Sequence, residues 1–265
     1  MSDRVEAQKA QATDIFNSRV QGFDALGAFA HFGRRLVALV GIEPGQRVLD
    51  VATGGGAVLF PAADRVGDGG EVIGVDLAER MVHATNEEAA RRGLGTPVRV
   101  MDAEQLAFAD ASFDRVLCGF SVMFFPNLDH ALAEFRRVLK LGGRLGVSTW
   151  QVSPIEDLSV VVDGFGLGTG HAPGWISEPD DLVRRLARAG FTDVRVEAES
   201  TTLNYADVER YWEYTSGTGP RRLLAALDAD QNERARSTLA ERLRPHQQPD
   251  GIHVEATALL AVASR

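Results

Sequence analysis

The chain has 265 residues, 45% of them hydrophobic and 25% charged. That composition is ordinary for a globular protein, and the length suits one domain with a cap and a core that needs no covalent staples. The formal net charge of −9 argues against nucleic-acid partners, and the single cysteine, Cys118, excludes an intrachain disulfide.

The opening stretch MSDRVEAQKAQATD is polar and predicts no secretion leader, and no apolar run approaches the roughly 20 residues of a membrane span. With one thiol in the chain, the expectation is a cytoplasmic protein without a membrane partner.

Residues 3–40 predict two helices. In the second, Leu26 to Val40, the residues Phe29, Phe32, Leu36 and Leu39 recur at helical spacing. Gly41-Ile42-Glu43-Pro44-Gly45 supplies the breakers that close it. Short apolar runs then predict strands at Arg47–Val51, Glu71–Asp76, Pro97–Met101, Phe113–Cys118 and Arg144–Thr149. Helical stretches at Leu77–Arg92 and Asp129–Lys140 separate them, the latter ended by Gly142-Gly143. Alternation of this kind implies crossover units and a mostly parallel sheet. Pro179–Gly190 reads as a further helix, Phe191–Ala198 as a sixth strand and Ala256–Ala263 as a seventh. The polar, helical stretch Asp207–Arg244 interrupts that order.

The feature richest in chemistry is Val48-Leu49-Asp50-Val51-Ala52-Thr53-Gly54-Gly55-Gly56, a strand that runs into a glycine turn. Glycine lets the backbone turn sharply and approach a ligand, and a following helix aims its N–H groups at that ligand. The next acid at a strand end, Asp76, lies 20 residues beyond Gly56, a spacing that suits a carboxylate binding ribose hydroxyls. Together they predict a nucleoside site. A dinucleotide fingerprint needs a small residue three positions after its second glycine; counted from Gly56 that position is Leu59, a poor fit to NAD.

Asp50-Val51-Ala52-Thr53-Gly54-Gly55-Gly56 resembles the first motif of class I S-adenosylmethionine (SAM)-dependent methyltransferases, in the ubiquinone/menaquinone C-methyltransferase-like branch. Ala52 stands where the usual pattern has glycine, and Ala57 where many relatives carry an acid. The resemblance runs to about residue 150 and assigns roles in order. Asp50, Ala52, Thr53, Gly54 and Gly56 would hold the cofactor, and Asp76 would bind its ribose. Leu77 and Met81 would pack on the adenine faces. Within Met101-Asp102-Ala103-Glu104-Gln105-Leu106-Ala107-Phe108, Asp102 would accept the adenine amino group and the Ala103 N–H would meet a ring nitrogen. Phe120 and Ser121 would line the methyl-transfer channel after the fourth strand. Leu139-Lys140-Leu141-Gly142-Gly143-Arg144-Leu145 is similar to the turn before the fifth strand, with Leu141 at the common proline.

The fold expected is α/β, a Rossmann-like, mostly parallel seven-stranded sheet with helices on both faces. Its parts would be an N-terminal helical cap (1–45), a SAM-binding core (46–201), a helical lid insertion (202–250) and the final strand (251–265). Ligands of such sheets bind beyond the carboxyl ends of the strands, so the insertion and the N-terminal helices would clamp the acceptor. Phe16 and Phe23 come from one side of that clamp, and Tyr211 and Tyr214, three apart on a helix with Trp212 turned away, from the other. An alternative gives the aromatic patch a packing role.

Asp114 reads as structural. His31 and His171 are candidate bases, needed only if the acceptor must lose a proton. No His/Cys/Asp grouping has metal-ligand spacing, and no Gly-x-Ser-x-Gly elbow points to covalent catalysis. The resemblance thus implies in-line transfer of the SAM methyl group to an O, N or C nucleophile of a small aromatic or specialised-metabolite acceptor. A SAM-binding fold with another role, and a nicotinamide-dependent oxidoreductase, are the alternatives; the absence of a Tyr-x-x-x-Lys pair weighs against the second. The acceptor, its methylated atom and the oligomeric state stay open.

Overall fold

The computed structural model describes residues 2–18, 20, 24, 26–166, 175–216 and 221–265. In chain order the first elements are α1 (Ser2–Asn17), α2 (Ala28–Val40), β1 (Arg47–Val51), α3 (Leu59–Val66), β2 (Glu71–Asp76), α4 (Glu79–Arg91), β3 (Val98–Val100) and β4 (Phe113–Gly119). There follow α5 (Leu128–Val138), β5 (Leu139–Val152), α6 (Glu156–Asp163), α7 (Pro179–Arg188) and β6 (Thr192–Tyr205). The last are α8 (Val208–Ser216), α9 (Arg221–Leu224), α10 (Ala229–Leu243), β7 (Gln247–Gln248) and β8 (Gly251–Ser264). Two compact units form: Met1–Trp150 with Gly174–Glu199 and Ala258–Arg265, and Gln151–Pro173 with Ser200–Thr257.

The sheet has the order β3-β2-β1-β4-β5-β8-β6, and each neighbouring pair from β3 to β5 is parallel. Side chains alternate across each strand, so β1 and β4 feed two cores. Leu49, Val51, Val116 and Cys118 pack with Leu132 and Phe135 of α5 and Leu182 and Leu186 of α7. Val48 and Leu117 pack with Leu36 of α2, Leu59 of α3 and Val82 of α4. With helices on both faces, strands can be apolar on both sides, which is why β1 and β2 read as unbroken runs rather than alternating ones. Helix α2 lies very close to its supports: a Cβ on Gly146 of β5 would come 2.3 Å from Val40, and one on Gly33 would come 2.2 Å from the carbonyl oxygen of Ala57.

The sheet is eight-stranded rather than seven-stranded. The extra strand, β7, has two polar residues and pairs antiparallel with β8 through Gln247↔Ile252 and Gln248↔Gly251. A pair so short leaves no periodicity to read. Strand β5 starts at Leu139, inside the expected helix end, and its pairing with β4 shifts register between Phe113 and Arg115 to take in the Gly142-Gly143 turn. Strand β6 runs to Tyr205, seven residues past the expected end; its second half is polar apart from Leu203 and Tyr205 and so lacks the apolar alternation by which a strand is recognised.

The order in which successive strands are added to the sheet reverses at β1 and β4, which are parallel neighbours although β2 and β3 intervene in sequence. At such a switch point the connections leave to opposite sides and open a crevice at the carboxyl ends of the strands.

In the second unit, Leu158, Val161 and Val162 of α6, Tyr211 and Trp212 of α8, and Leu239 and Leu243 of α10 are buried. A capping box starts α10: Asp228 accepts from Gln231 N at 2.8 Å, and Gln231 accepts from Asp228 N at 2.9 Å. An N-cap of this kind contributes about 1 kcal/mol.

Candidate functional site

The site begins where β1 ends. Ala52, Gly54 and Gly56 all have positive φ (55°, 52° and 82°), so the chain coils tightly between β1 and α3. At Gly56 a side chain is excluded by packing as well, since a Cβ would lie 2.4 Å from the Phe60 ring. Thr53 pins the turn: its N–H donates to Val75 O of β2 at 3.0 Å, and its hydroxyl donates to the backbone oxygen or to Oδ2 of Asp50, at 2.9 and 3.0 Å.

Two carboxyl groups face this turn. Asp50 is 1% exposed, and its Oδ1 has no hydrogen-bond partner among the described residues. Burial pushes its carboxyl up to about 8; the negative Asp76 nearby adds to that, and the Thr53 hydroxyl opposes it. Asp76 accepts from Gly54 N through Oδ2 and from Ala78 N through Oδ1, both at 2.8 Å. Burial raises its pKa too, against the pull of the Ala78, Gly54 and Leu77 N–H groups. Thr85 of α4 closes the ring by donating to Gly54 O at 2.6 Å.

The Asp102 loop is tied to the same place, because Met101 N donates to Asp76 O at 3.0 Å. Asp102 Oδ1 accepts from Glu104 N at 2.9 Å. Its Oδ2 receives Lys9 Nζ of α1 at 2.7 Å, and Lys9 also reaches Glu104 at 2.8 Å. Sequence reading did not find Lys9, which lies 93 residues from Asp102. Ala103 and Met81 are buried, Met81 at 1% exposure, and Leu77 is half-buried.

Phe120, directly after β4, also has positive φ, 52°. Its N–H points at Ser148 of β5, 3.0 Å from the carbonyl oxygen and 3.1 Å from Oγ. That backbone turn lays its ring along Trp150, centroids 4.1 Å apart and planes 32° apart. Phe29 and Phe32 of α2 complete an aromatic quartet, at 5.4 and 5.6 Å from Phe120. Ser121 is half-buried and donates to Gly119 O at 3.0 Å.

The structure therefore brings Asp50, Thr53, Gly54, Gly56 and Asp76 into one hydrogen-bonded group, with Ala52 in the same turn, and ties the Asp102 loop to it. His31 instead pairs its Nε2 with Glu199 of β6 at 2.9 Å, and Glu199 also holds Arg35. Phe16 of α1 meets Phe124 edge-on at 5.1 Å. Tyr211 and Tyr214 belong to the second unit, where both rings touch Tyr205, at 4.9 and 5.7 Å, while Trp212 lies under Arg236. Phe23 and His171 lie outside the described residues. Asp114 ties strands, as expected of a structural residue: it accepts from Arg47 N at 2.9 Å and from Lys140 at 2.8 Å.

This set of acceptors fits SAM. The cofactor carries an ammonium, a sulfonium, a ribose diol and an adenine amino group. The turn offers a buried carboxyl with a free oxygen, a second carboxylate at a strand end and a third in the adjoining loop, each with acceptor capacity left.

Residues 49–147 match the methyltransferase domain family. The chain is 35% identical over 260 residues to nocamycin O-methyltransferase of Saccharothrix syringae, an alignment that covers 88% of this chain and 90% of that one. It is 35% identical over 210 residues to the aklanonic acid methyltransferase of Streptomyces sp. strain C5, covering 71% and 94%. A crystal structure described as a putative methyltransferase from Bacillus halodurans C-125 shares the fold, with TM-score 0.60, 22% identity and coverage of 87% and 96%. The glycine turn, the acid at the end of β2 and these full-length relatives agree: the chain belongs to the class I SAM-dependent methyltransferases, with SAM as its cofactor.

Proposed function

We propose that this methyltransferase acts on a small, flat, largely apolar acceptor of specialised-metabolite type, at an O, N or C nucleophile. The observation that carries the reading is the quartet of Phe29, Phe32, Phe120 and Trp150, because Phe120 and Trp150 lie at the carboxyl ends of β4 and β5, beside the switch point. Two relatives whose names specify nocamycin and aklanonic acid chemistry support the same class.

Bound SAM supplies an activated methyl group that is transferred in line to the acceptor. The chain's own work is to bind and orient. Asp76 takes the ribose diol while its present bonds keep the glycine turn in place. Asp102 and the Ala103 N–H take the adenine edge, with Leu77 and Met81 beside the ring. Asp50 offers its free Oδ1 to the positive end of the cofactor, and Phe120 walls the channel. Phe16 and Ser121, both half-buried, are assigned to the acceptor. An acceptor that is already acidic needs no base; otherwise His31, oriented by Glu199, is the candidate among the described residues. The single cysteine, Cys118, is buried and free, in keeping with a cytoplasmic setting.

Incubation with methyl-labelled SAM and a panel of phenols, amines, quinols and hydroxyanthraquinones tests the reading. Label should pass to flat aromatic hydroxyl or enol acceptors. Transfer confined to aliphatic amines would overturn it.

A further inference from the structure

Helix α1 belongs to the first unit, and three of its contacts there come from its side chains at Lys9, Phe16 and Asn17. Lys9 bridges Asp102 and Glu104; Asn17 Oδ1 accepts from Arg80 N at 3.0 Å, at the start of α4; Phe16 meets Phe124. The first is the most demanding. The Lys9 side chain is 14% exposed and that of Glu104 only 6%, so both charges are largely withdrawn from water. Glu104 has further partners in Asn127, whose N donates at 2.8 Å and Nδ2 at 3.1 Å. Asp102 has fewer: one oxygen caps Glu104 N, and among the described residues Lys9 alone holds the other. Burial works against the charge on Lys9, but the two carboxylates outweigh it and keep the ammonium protonated. Without that ammonium, two adjacent carboxylates would repel each other, and the less buried one, Asp102, would turn outward.

We infer that Lys9 is a positioning residue for cofactor recognition: from α1 it holds the Asp102 carboxylate aimed so that its remaining acceptor sites read the adenine amino group of SAM. The inference rests on the assignment of Asp102 to adenine. It adds that this contact depends on a residue of the N-terminal helix, outside the matched domain of residues 49–147. Lys9 itself need not touch the cofactor. Its positive charge compensates Glu104, and its geometry fixes which Asp102 oxygen stays available.

Calorimetry with two ligands tests it without an acceptor substrate. S-adenosylhomocysteine carries the adenine amino donor; its purine-riboside analogue has hydrogen in place of that amino group and keeps the ring nitrogens. The wild-type chain should prefer the first by about tenfold or more, the worth of one hydrogen bond to a charged group. In Lys9→Met that preference should collapse to about twofold, with an unchanged circular dichroism spectrum, and Lys9→Arg should restore most of it. Asp102→Asn is the control for the underlying assignment, because an amide oriented by the same neighbours loses the charge. If Asp102→Asn keeps the full preference, the adenine assignment fails. If Asp102→Asn loses it while Lys9→Met keeps it, the assignment stands and the role of Lys9 is refuted. Tighter binding of both ligands by Lys9→Met also refutes it, since Lys9 would then be blocking the site. Equal weakening of both ligands with the preference intact marks α1 as a purely structural strut and refutes it as well.

Discussion

Gly54 donates its backbone N–H to Asp76 at 2.8 Å, so the glycine turn after β1 is held by the acid that ends β2. The two features that announce a nucleoside site in the sequence are one hydrogen-bonded object in the fold. Asp76 is therefore both a candidate ligand and a clamp on its own binding loop, which separates two substitutions. Asp76→Asn keeps an oxygen for one N–H but removes the charge. It should weaken S-adenosylhomocysteine binding by about 1.5–3 kcal/mol, the range for hydrogen bonds to charged groups, with a small change in melting temperature. Asp76→Ala leaves the Gly54 and Ala78 N–H groups unpaired and should in addition lower stability by about 1–3 kcal/mol. Calorimetry and denaturant melts read the two effects apart; unaltered affinity in a folded Asn variant would remove Asp76 from the cofactor site.

The second prediction concerns pH. Burial raises the Asp50 carboxyl from an ordinary 3.8 to about 8. The folded chain then holds this proton more tightly than the unfolded chain does. The associated stability is fully present below about pH 4 and is lost as pH rises through about 8. A cationic cofactor beside the free Oδ1 favours the ionised form. Binding of SAM at pH 7 should therefore release close to one proton, and affinity should rise up to about pH 8 and then level off. Calorimetry in buffers of different ionisation enthalpy measures the release. Asp50→Asn should abolish both the release and the slope; a release that persists in that variant would assign the proton to another group.

The third prediction tests how the N-terminal region supports the turn. A Cβ at Gly33 would come 2.2 Å from the carbonyl oxygen of Ala57, in the segment between Gly56 and α3. Backbone cannot yield as a side chain end can, so Gly33→Ala must shift α2 or the turn. The expected cost is about 1–3 kcal/mol of stability, as for other overpacked positions. The ligand-induced melting shift given by S-adenosylhomocysteine should shrink as well. A variant with the wild-type melting temperature would show that α2 can move away at no cost.

What was legible in the sequence follows from distance along the chain. The turn at residues 50–56 and Asp76 lie at the ends of short, largely apolar runs, and their chemistry is local, so both are readable. The ion pairs were not: Lys9 reaches Asp102 across 93 residues and His31 reaches Glu199 across 168, and no local pattern carries such a pairing. Phe120 could be placed after β4, but its stacking on Trp150 depends on a positive φ that a non-glycine residue does not announce. The polar second half of β6 and the two residues of β7 lacked the apolar periodicity by which strands are recognised.

The last prediction uses the chain's three tyrosines, Tyr205, Tyr211 and Tyr214, which all lie in one cluster of the second unit. Tyr211 is fully buried, and its hydroxyl donates to Pro154 O at 3.1 Å. Tyr205 is 2% exposed, and its hydroxyl has no hydrogen-bond partner among the described residues. Burial raises both phenols above their ordinary value, so neither ionises near pH 7. Removing a paired buried hydroxyl forfeits its bond and leaves an acceptor unfilled, whereas removing an unpaired one relieves a desolvation cost. Tyr211→Phe should therefore lose about 0.5–1.5 kcal/mol of stability, while Tyr205→Phe should be neutral or stabilising. Tyr211→Ala would also empty a large, enclosed space and should melt far earlier, at a cost of about 3–5 kcal/mol by analogy with other aromatic truncations. That result would give Tyr211 a packing role. Urea melts of the three variants decide the matter. If Tyr211→Ala keeps the wild-type midpoint and instead raises the acceptor KM, the ring serves the substrate; if Tyr205→Phe is as destabilised as Tyr211→Phe, the Tyr205 hydroxyl is paired after all.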